Sequence, residues 1–170
     1  MTATQSQFRD AVDRDTARTI VKLVLSALGL LAVLALVSLL PGIDRVVPGT
    51  PVSIVALASA IVTVALVGLL FLLAPTLAAL VRSTFEGAEQ VVDDVASIVH
   101  LFVVLLAVLV AHRGLAPAIV PVLDGAAWAY DVVFFAIALG PLAILVARLY
   151  VSLDPISELL AAKIAGSSRD

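Results

Sequence analysis

The sequence predicts an all-α, polytopic integral membrane protein, and three observations carry that prediction. Hydrophobic residues make up 62 % of the 170-residue chain and charged residues only 14 %, against about 45–50 % and ~25 % in a soluble globular domain. A chain of this length has too much surface for its volume to hide that apolar excess in a core of its own. Four long apolar runs follow one another, at 20–40, 52–73, 95–111 and 126–147, each near the roughly 17–25 residues that a helix needs to cross the hydrocarbon. Finally, the basic residues sort onto alternate connections, the asymmetry that orients membrane helices.

The first run is entered through Arg9, Arg14, Arg18 and Lys22. It is too long for the apolar stretch of a signal peptide, and no small-residue cleavage site follows it. We therefore expect a retained helix, with Lys22 snorkelling its ammonium towards the headgroups. With the N-terminus inside, Arg9, Arg14, Arg18, Lys22, Arg82, Arg148, Lys163 and Arg169 fall on the cytoplasmic side, and only Arg45 and Arg113 outside. That places both termini in the cytoplasm of a multi-pass cell-membrane protein. Trp128 and Tyr130 then lie at the outer interface, where amphipathic rings are favoured.

The connections are read from Pro, Gly and polar spacing. Segments 41–51 and 112–125 are short outer turns, the second apolar enough to lie at the interface. Segment 76–94 reads as an amphipathic cytoplasmic helix begun by Pro75, with Phe85, Ala88, Val92 and Val95 on one face and Glu86, Glu89, Gln90, Asp93 and Asp94 on the other. Asp154 and Pro155 signal the start of a second cytoplasmic helix, with Glu158 at the positive end of its dipole and an apolar face of Ile156, Leu159, Leu160 and Ile164. The expected organisation is a cytoplasmic segment 1–18, a first helical hairpin plus cytoplasmic helix over 19–94, and a second hairpin plus C-terminal cytoplasmic helix over 95–170.

The two halves resemble one another. Leu39, Pro41, Ile43, Val46 and Gly49 match Leu115, Pro117, Ile119, Val122 and Gly125; Leu73, Pro75 and Leu80 match Leu153, Pro155 and Leu160. Leu and Val matches are cheap in this composition, so the Pro and Gly matches carry the weight. They predict two parallel-repeat hairpins related by a half-turn about the membrane normal. Pro41 and Pro117 are then expected just past the outer helix ends, and Gly49 and Gly125 just before the returning helices. Pro75 and Pro155 are expected at breaks.

Candidate functional residues are few. Small residues let helices approach closely in lipid, which singles out Ala56, Ser59, Ala60 and Thr63 on the second helix and Ala136, Gly140, Ala143 and Ala147 on the fourth. Pro141 is expected to kink the fourth helix, because it cannot donate to the carbonyl of Ile137. Asp131 and His100 lie about a turn or two inside opposite ends of their runs and are the candidates for an ion or proton pathway; interface exposure is the commoner arrangement. Ser97 precedes His100 by three and shares its helix face, but no orienting third group or oxyanion hole accompanies the pair. Glu86, Glu89, Asp93 and His100 fall near one face with ligand types suited to a cation, yet a solvated acidic face is far more usual, so no metal and no cofactor are expected.

The absence of Cys excludes disulfides and thiolate chemistry, and a net charge of −3 gives no attraction to nucleic acid. No phosphate-binding glycine loop or zinc-protease motif is present. The Pro/Gly turn followed by a long apolar helix resembles the membrane repeats attached to mechanosensitive-type channels over about a quarter of the chain; the resemblance has no specific motif and assigns no residue. The expectation is a non-enzymatic accessory, scaffold or assembly subunit acting through helix packing, surrounded by membrane lipid and associated with copies of itself or with another membrane protein. An oligomeric channel or transporter is the second reading and an intramembrane enzyme the third.

Overall fold

The computed structural model describes residues 3–84 and 89–166, with side chains at 15–84 and 91–150. Four helices make the fold: α1 (Ala3–Ser38), α2 (Ile54–Thr84), α3 (Glu89–Ile119) and α4 (Ala127–Gly166), with a short 3₁₀ turn at Val120–Leu123 between the last two. All four are long and apolar enough to cross a membrane, over Asp15–Ser38, Ile54–Thr84, Val91–Leu123 (which includes the 3₁₀ turn) and Ala127–Tyr150. In hydrocarbon every backbone amide must find its partner within its own segment, which only a continuous helix allows in a chain without a barrel.

The helices run up, down, up, down. Ile43 and Val55 share a backbone hydrogen bond at one end of α1 and α2. Arg82 pairs with Asp93 across α2 and α3, and Asp94 with Arg148 across α3 and α4. Two ends are thereby defined: a loop end, with the turns after α1 and α3, and a linker end, where α2 passes to α3. Among the described residues each helix closely approaches only its neighbours in sequence, so the bundle is an open row, α1–α2–α3–α4, rather than a closed ring.

The central seam, between α2 and α3, is built of small side chains. Ala56, Thr63, Ala74 and Ala78 on α2 are buried, as are Ala96, Val103 and Ala107 on α3. Lipid tails are as apolar as Leu, so what draws these helices together is close van der Waals contact. At Gly114 a Cβ would stand 2.0 Å from Thr63 Oγ1 and 2.8 Å from Thr63 Cβ, so the contact has no room for a side chain. On α1 no residue from 15 to 38 is fully buried; Thr16, Ile20, Leu23, Ala27, Leu30, Leu34 and Val37 are half-buried at alternating steps of four and three. That heptad-like spacing makes one stripe, consistent with α1 contacting α2 alone.

Several expectations drawn from proline are corrected. Pro75 lies inside α2, which continues to Thr84, so no separate helix begins there. The ring of Pro75 removes one backbone hydrogen bond, and beside it Thr76 Oγ1 donates to the carbonyl of Leu72 at 2.9 Å. Breaking the helix in lipid would strand more backbone groups than the single one that proline removes. Segment 76–94 is accordingly the end of α2 and the start of α3, with 85–88 outside the described residues. Pro117 likewise lies inside α3, whereas Pro41 lies beyond the end of α1. The two are not equivalent, and segment 112–119 is helix rather than turn. The backbone of α4 continues through Pro155. The side chains from 151 onward lie outside the described residues, and with them the expected apolar face at 156–164.

The loop-end turns are built differently. Residues 39–53 form a miniature hairpin: Val46 and Ser53 make an isolated antiparallel bridge, Val47 donates to Val52 and Thr50 to Val47, and Ser53 Oγ caps α2 by accepting from the amide of Ala56 at 3.3 Å. The second connection is tighter, with Asp124 (φ 34°) and Gly125 (φ 88°) turning the chain into α4. Gly49 shares a positive φ, 79°, a conformation that glycine alone adopts without steric cost.

Candidate functional site

One face of α4 meets α3. Tyr130, Phe134, Ala138, Pro141 and Leu145 recur at steps of four and three and form the inward face of α4. Tyr130 is the only one fully buried, at 6 % exposure, and its hydroxyl donates to the backbone carbonyl of His112. The His112 imidazole stacks on the Tyr130 ring, with centroids 5.2 Å apart, and meets the edge of Phe134 at 5.3 Å; Tyr130 and Phe134 are 4.8 Å apart. The aromatic cluster fixes the imidazole so that its Nε2 lies 2.9 Å from Asp131 Oδ1.

This pair stands over a cleft of about 490 Å³ whose walls are otherwise apolar: Val108 and Leu109 on α3, and Val132, Phe134, Phe135 and Ala138 on α4. The imidazole is held on one side, while the Asp131 side chain keeps 70 % of its surface exposed. Among the described residues, Asp131 Oδ2 accepts no hydrogen bond. A single titratable pair at the head of an apolar cleft is chemically suited to holding a polar or cationic group whose remainder is apolar.

The sequence-predicted residues are distributed as follows. Asp131 belongs to this site. His100 does not: it is half-buried on α3, twelve residues and so about 18 Å along the axis from His112. The acidic face is not gathered around a cation. Asp93 pairs with Arg82 and Asp94 with Arg148, each at 2.8 Å, while Glu86 and the side chain of Glu89 lie outside the described residues. Among the described residues no three His, Cys, Asp or Glu side chains converge on one point.

Of the small residues, Ala56 and Thr63 are buried in the α2–α3 seam and Ser59 and Ala60 are half-buried. Ala136, Gly140, Ala143 and Ala147 are all exposed, so this face does not pack against the other described helices of the chain. A Cβ at Gly140 would meet nothing within 4 Å. At 100° per residue the stripe lies about 150° from the Tyr130–Leu145 face that seats α4 on α3. Sequence reasoning missed His112 and Gly114, because the proline at 117 assigned both to a turn. The signal that could have found them is the helical continuation of the apolar pattern through Leu115 and Ile119.

Comparison of the chain with protein-family models, characterised proteins and solved structures finds no match. The class defined by the fold is that of an all-helical protein with four membrane-length helices.

Proposed function

We propose that the protein is a non-enzymatic multi-pass membrane protein that acts through helix association, as an accessory, scaffold or assembly subunit, with a second copy of the chain or another membrane protein as its partner. One observation carries the reading. The open row leaves the small-residue stripe Ala136, Gly140, Ala143 and Ala147 facing away from the chain's own helices. Spacing of small residues at four, three and four is what close approach of two helices in lipid requires. Support for the non-enzymatic part is that the Tyr130 hydroxyl beside His112 donates to a backbone carbonyl rather than to the imidazole. Both termini on the cytoplasmic side, the parallel repeat and homo-oligomerisation are further parts of the proposal; the reading does not rest on the repeat, in which Pro41 and Pro117 are not equivalent.

Gly140→Leu tests the reading. Open space at Gly140 predicts that the variant keeps the wild-type unfolding midpoint in detergent, while its oligomer, sized in lipid nanodiscs, falls apart. An unchanged oligomer would contradict the assignment of this face.

The second reading, an oligomeric channel or transporter, is favoured by the His112–Asp131 pair opening on a cleft. It needs polar groups from several copies to converge. Within one chain the cleft below this pair is lined only by apolar side chains: Val108, Leu109, Val132, Phe134, Phe135 and Ala138.

A further inference from the structure

The cleft between α3 and α4 has a graded chemistry that a lipid would match. At its head stand the exposed Asp131 carboxylate and the His112 imidazole. Asp131 is four residues into α4, about 6 Å from the helix start and so near the level of the headgroups, while Ala138 lies seven residues deeper, about 10 Å. From head to floor the walls are Leu109, Val132, Phe134, Phe135 and Ala138. We propose that this cleft is a binding site for one aminophospholipid, with the acyl chain running along Val132, Phe135 and Ala138 and the primary ammonium donating to Asp131 Oδ2.

Three observations choose this occupant. The gradient from polar to apolar runs along the helix axis, as it does along a lipid and as it does not along a compact solute. Next, the head of the cleft offers an exposed carboxylate oxygen that accepts no hydrogen bond from the described residues, and it attracts a cation and repels an anionic headgroup. Oδ2 is also a hydrogen-bond acceptor, so an ammonium bearing N–H groups is preferred to a trimethylated one, which has no hydrogen to give. The cluster of His112, Tyr130 and Phe134 holds the imidazole against Oδ1 and so leaves Oδ2 as the group turned to the ligand. The inference goes beyond the association reading and stands whether or not chains associate.

Trp128, the one tryptophan in the chain, is exposed and shares a helix face with Val132 and Phe135. It therefore reports on the cleft. The full chain is reconstituted in a fixed mixture of phosphatidylethanolamine, phosphatidylcholine and phosphatidylglycerol, with the acyl chains of one class brominated at a time, and quenching of Trp128 fluorescence is read. Phosphatidylethanolamine should quench beyond its share of the mixture, and the other two should not. Asp131→Asn should lower that preference about threefold, the scale of one partly exposed charge pair, while Asp131→Glu should retain it. Quenching in proportion to composition in the wild type would overturn the proposal, as would a phosphatidylethanolamine preference that survives Asp131→Asn. Should the Asn variant fail to fold, the wild-type order and the Glu variant decide the matter alone.

Discussion

Gly114 is the residue at which the packing of this protein is least forgiving. Its missing side chain is the space that Thr63 occupies, and a Cβ there would meet not only the flexible end of Thr63 but its Cβ, at 2.8 Å. The backbones of α2 and α3 would have to part. Gly114→Ala is therefore expected to destabilise the fold by about 1–3 kcal/mol, the usual cost of overpacking, measured by thermal or detergent-induced unfolding. Thr63→Gly in the same chain should recover part of that loss, giving a favourable coupling between the two sites. Equal stability of Gly114→Ala and wild type would show that the seam is looser than described. At this scale the sequence is only partly legible. Thr63 can be picked out as a small polar residue on an apolar helix, but nothing local says that its counterpart lies at 114. The His112–Asp131 pair is hidden for the same reason, since nineteen residues and a turn separate its members.

Among the elements, the apolar runs foretell the helices well and the prolines foretell their ends badly. The expected span at 52–73 stops at Pro75 by the rule for water-soluble helices, yet α2 runs on to Thr84. In water a freed carbonyl finds a solvent partner, so a proline is a cheap place to stop; in lipid the stop itself exposes backbone and the helix persists. The same reason carries α3 past Pro117. Glycine was the better guide, because the positive φ of Gly49 and Gly125 is a demand of the backbone that no solvent changes. The ion pairs at the linker end join elements but contribute little. Arg82 and Asp93 expose 54 % and 66 % of their side chains, and pairs in water contribute less than about 1 kcal/mol. Arg82→Ala should thus lower stability by under about 1 kcal/mol, well below Gly114→Ala in the same assay. The reverse order would mean that charge rather than close contact holds α2 to α3.

For the whole molecule, four membrane-length helices are arranged so that, among the described residues, only α2 and α3 have neighbours on both sides. Such a row can be covered by lipid, which is as apolar as the side chains it meets, so the exposure of Leu, Ile and Phe on α1 and α4 calls for no partner. Small residues are different, because lipid chains gain little from Ala and Gly that they would not gain from Leu, whereas another helix gains a closer backbone. The sequence shows the stripe; that it faces outward follows only from which face of α4 seats on α3, and that is a tertiary fact. Orientation has its own check. A label near residue 89 should react only from the cytoplasmic side and one at Arg45 only from outside, given the eight basic residues assigned inside; the opposite pattern would invert the protein.

Association through α4 is tested most directly by cross-linking. The chain has no cysteine, so Ala143→Cys introduces a single thiol in the middle of the stripe, and Phe102→Cys places one on the exposed surface of α3 as a control. A disulfide forms only when two Cα atoms come within about 4.4–6.8 Å, a separation that small residues at a helix crossing permit and a lipid-filled gap does not. On oxidation in native membranes, Ala143→Cys is expected to give a covalent dimer and Phe102→Cys to stay monomeric. A monomeric Ala143→Cys, or equal dimers from both positions, would contradict the account.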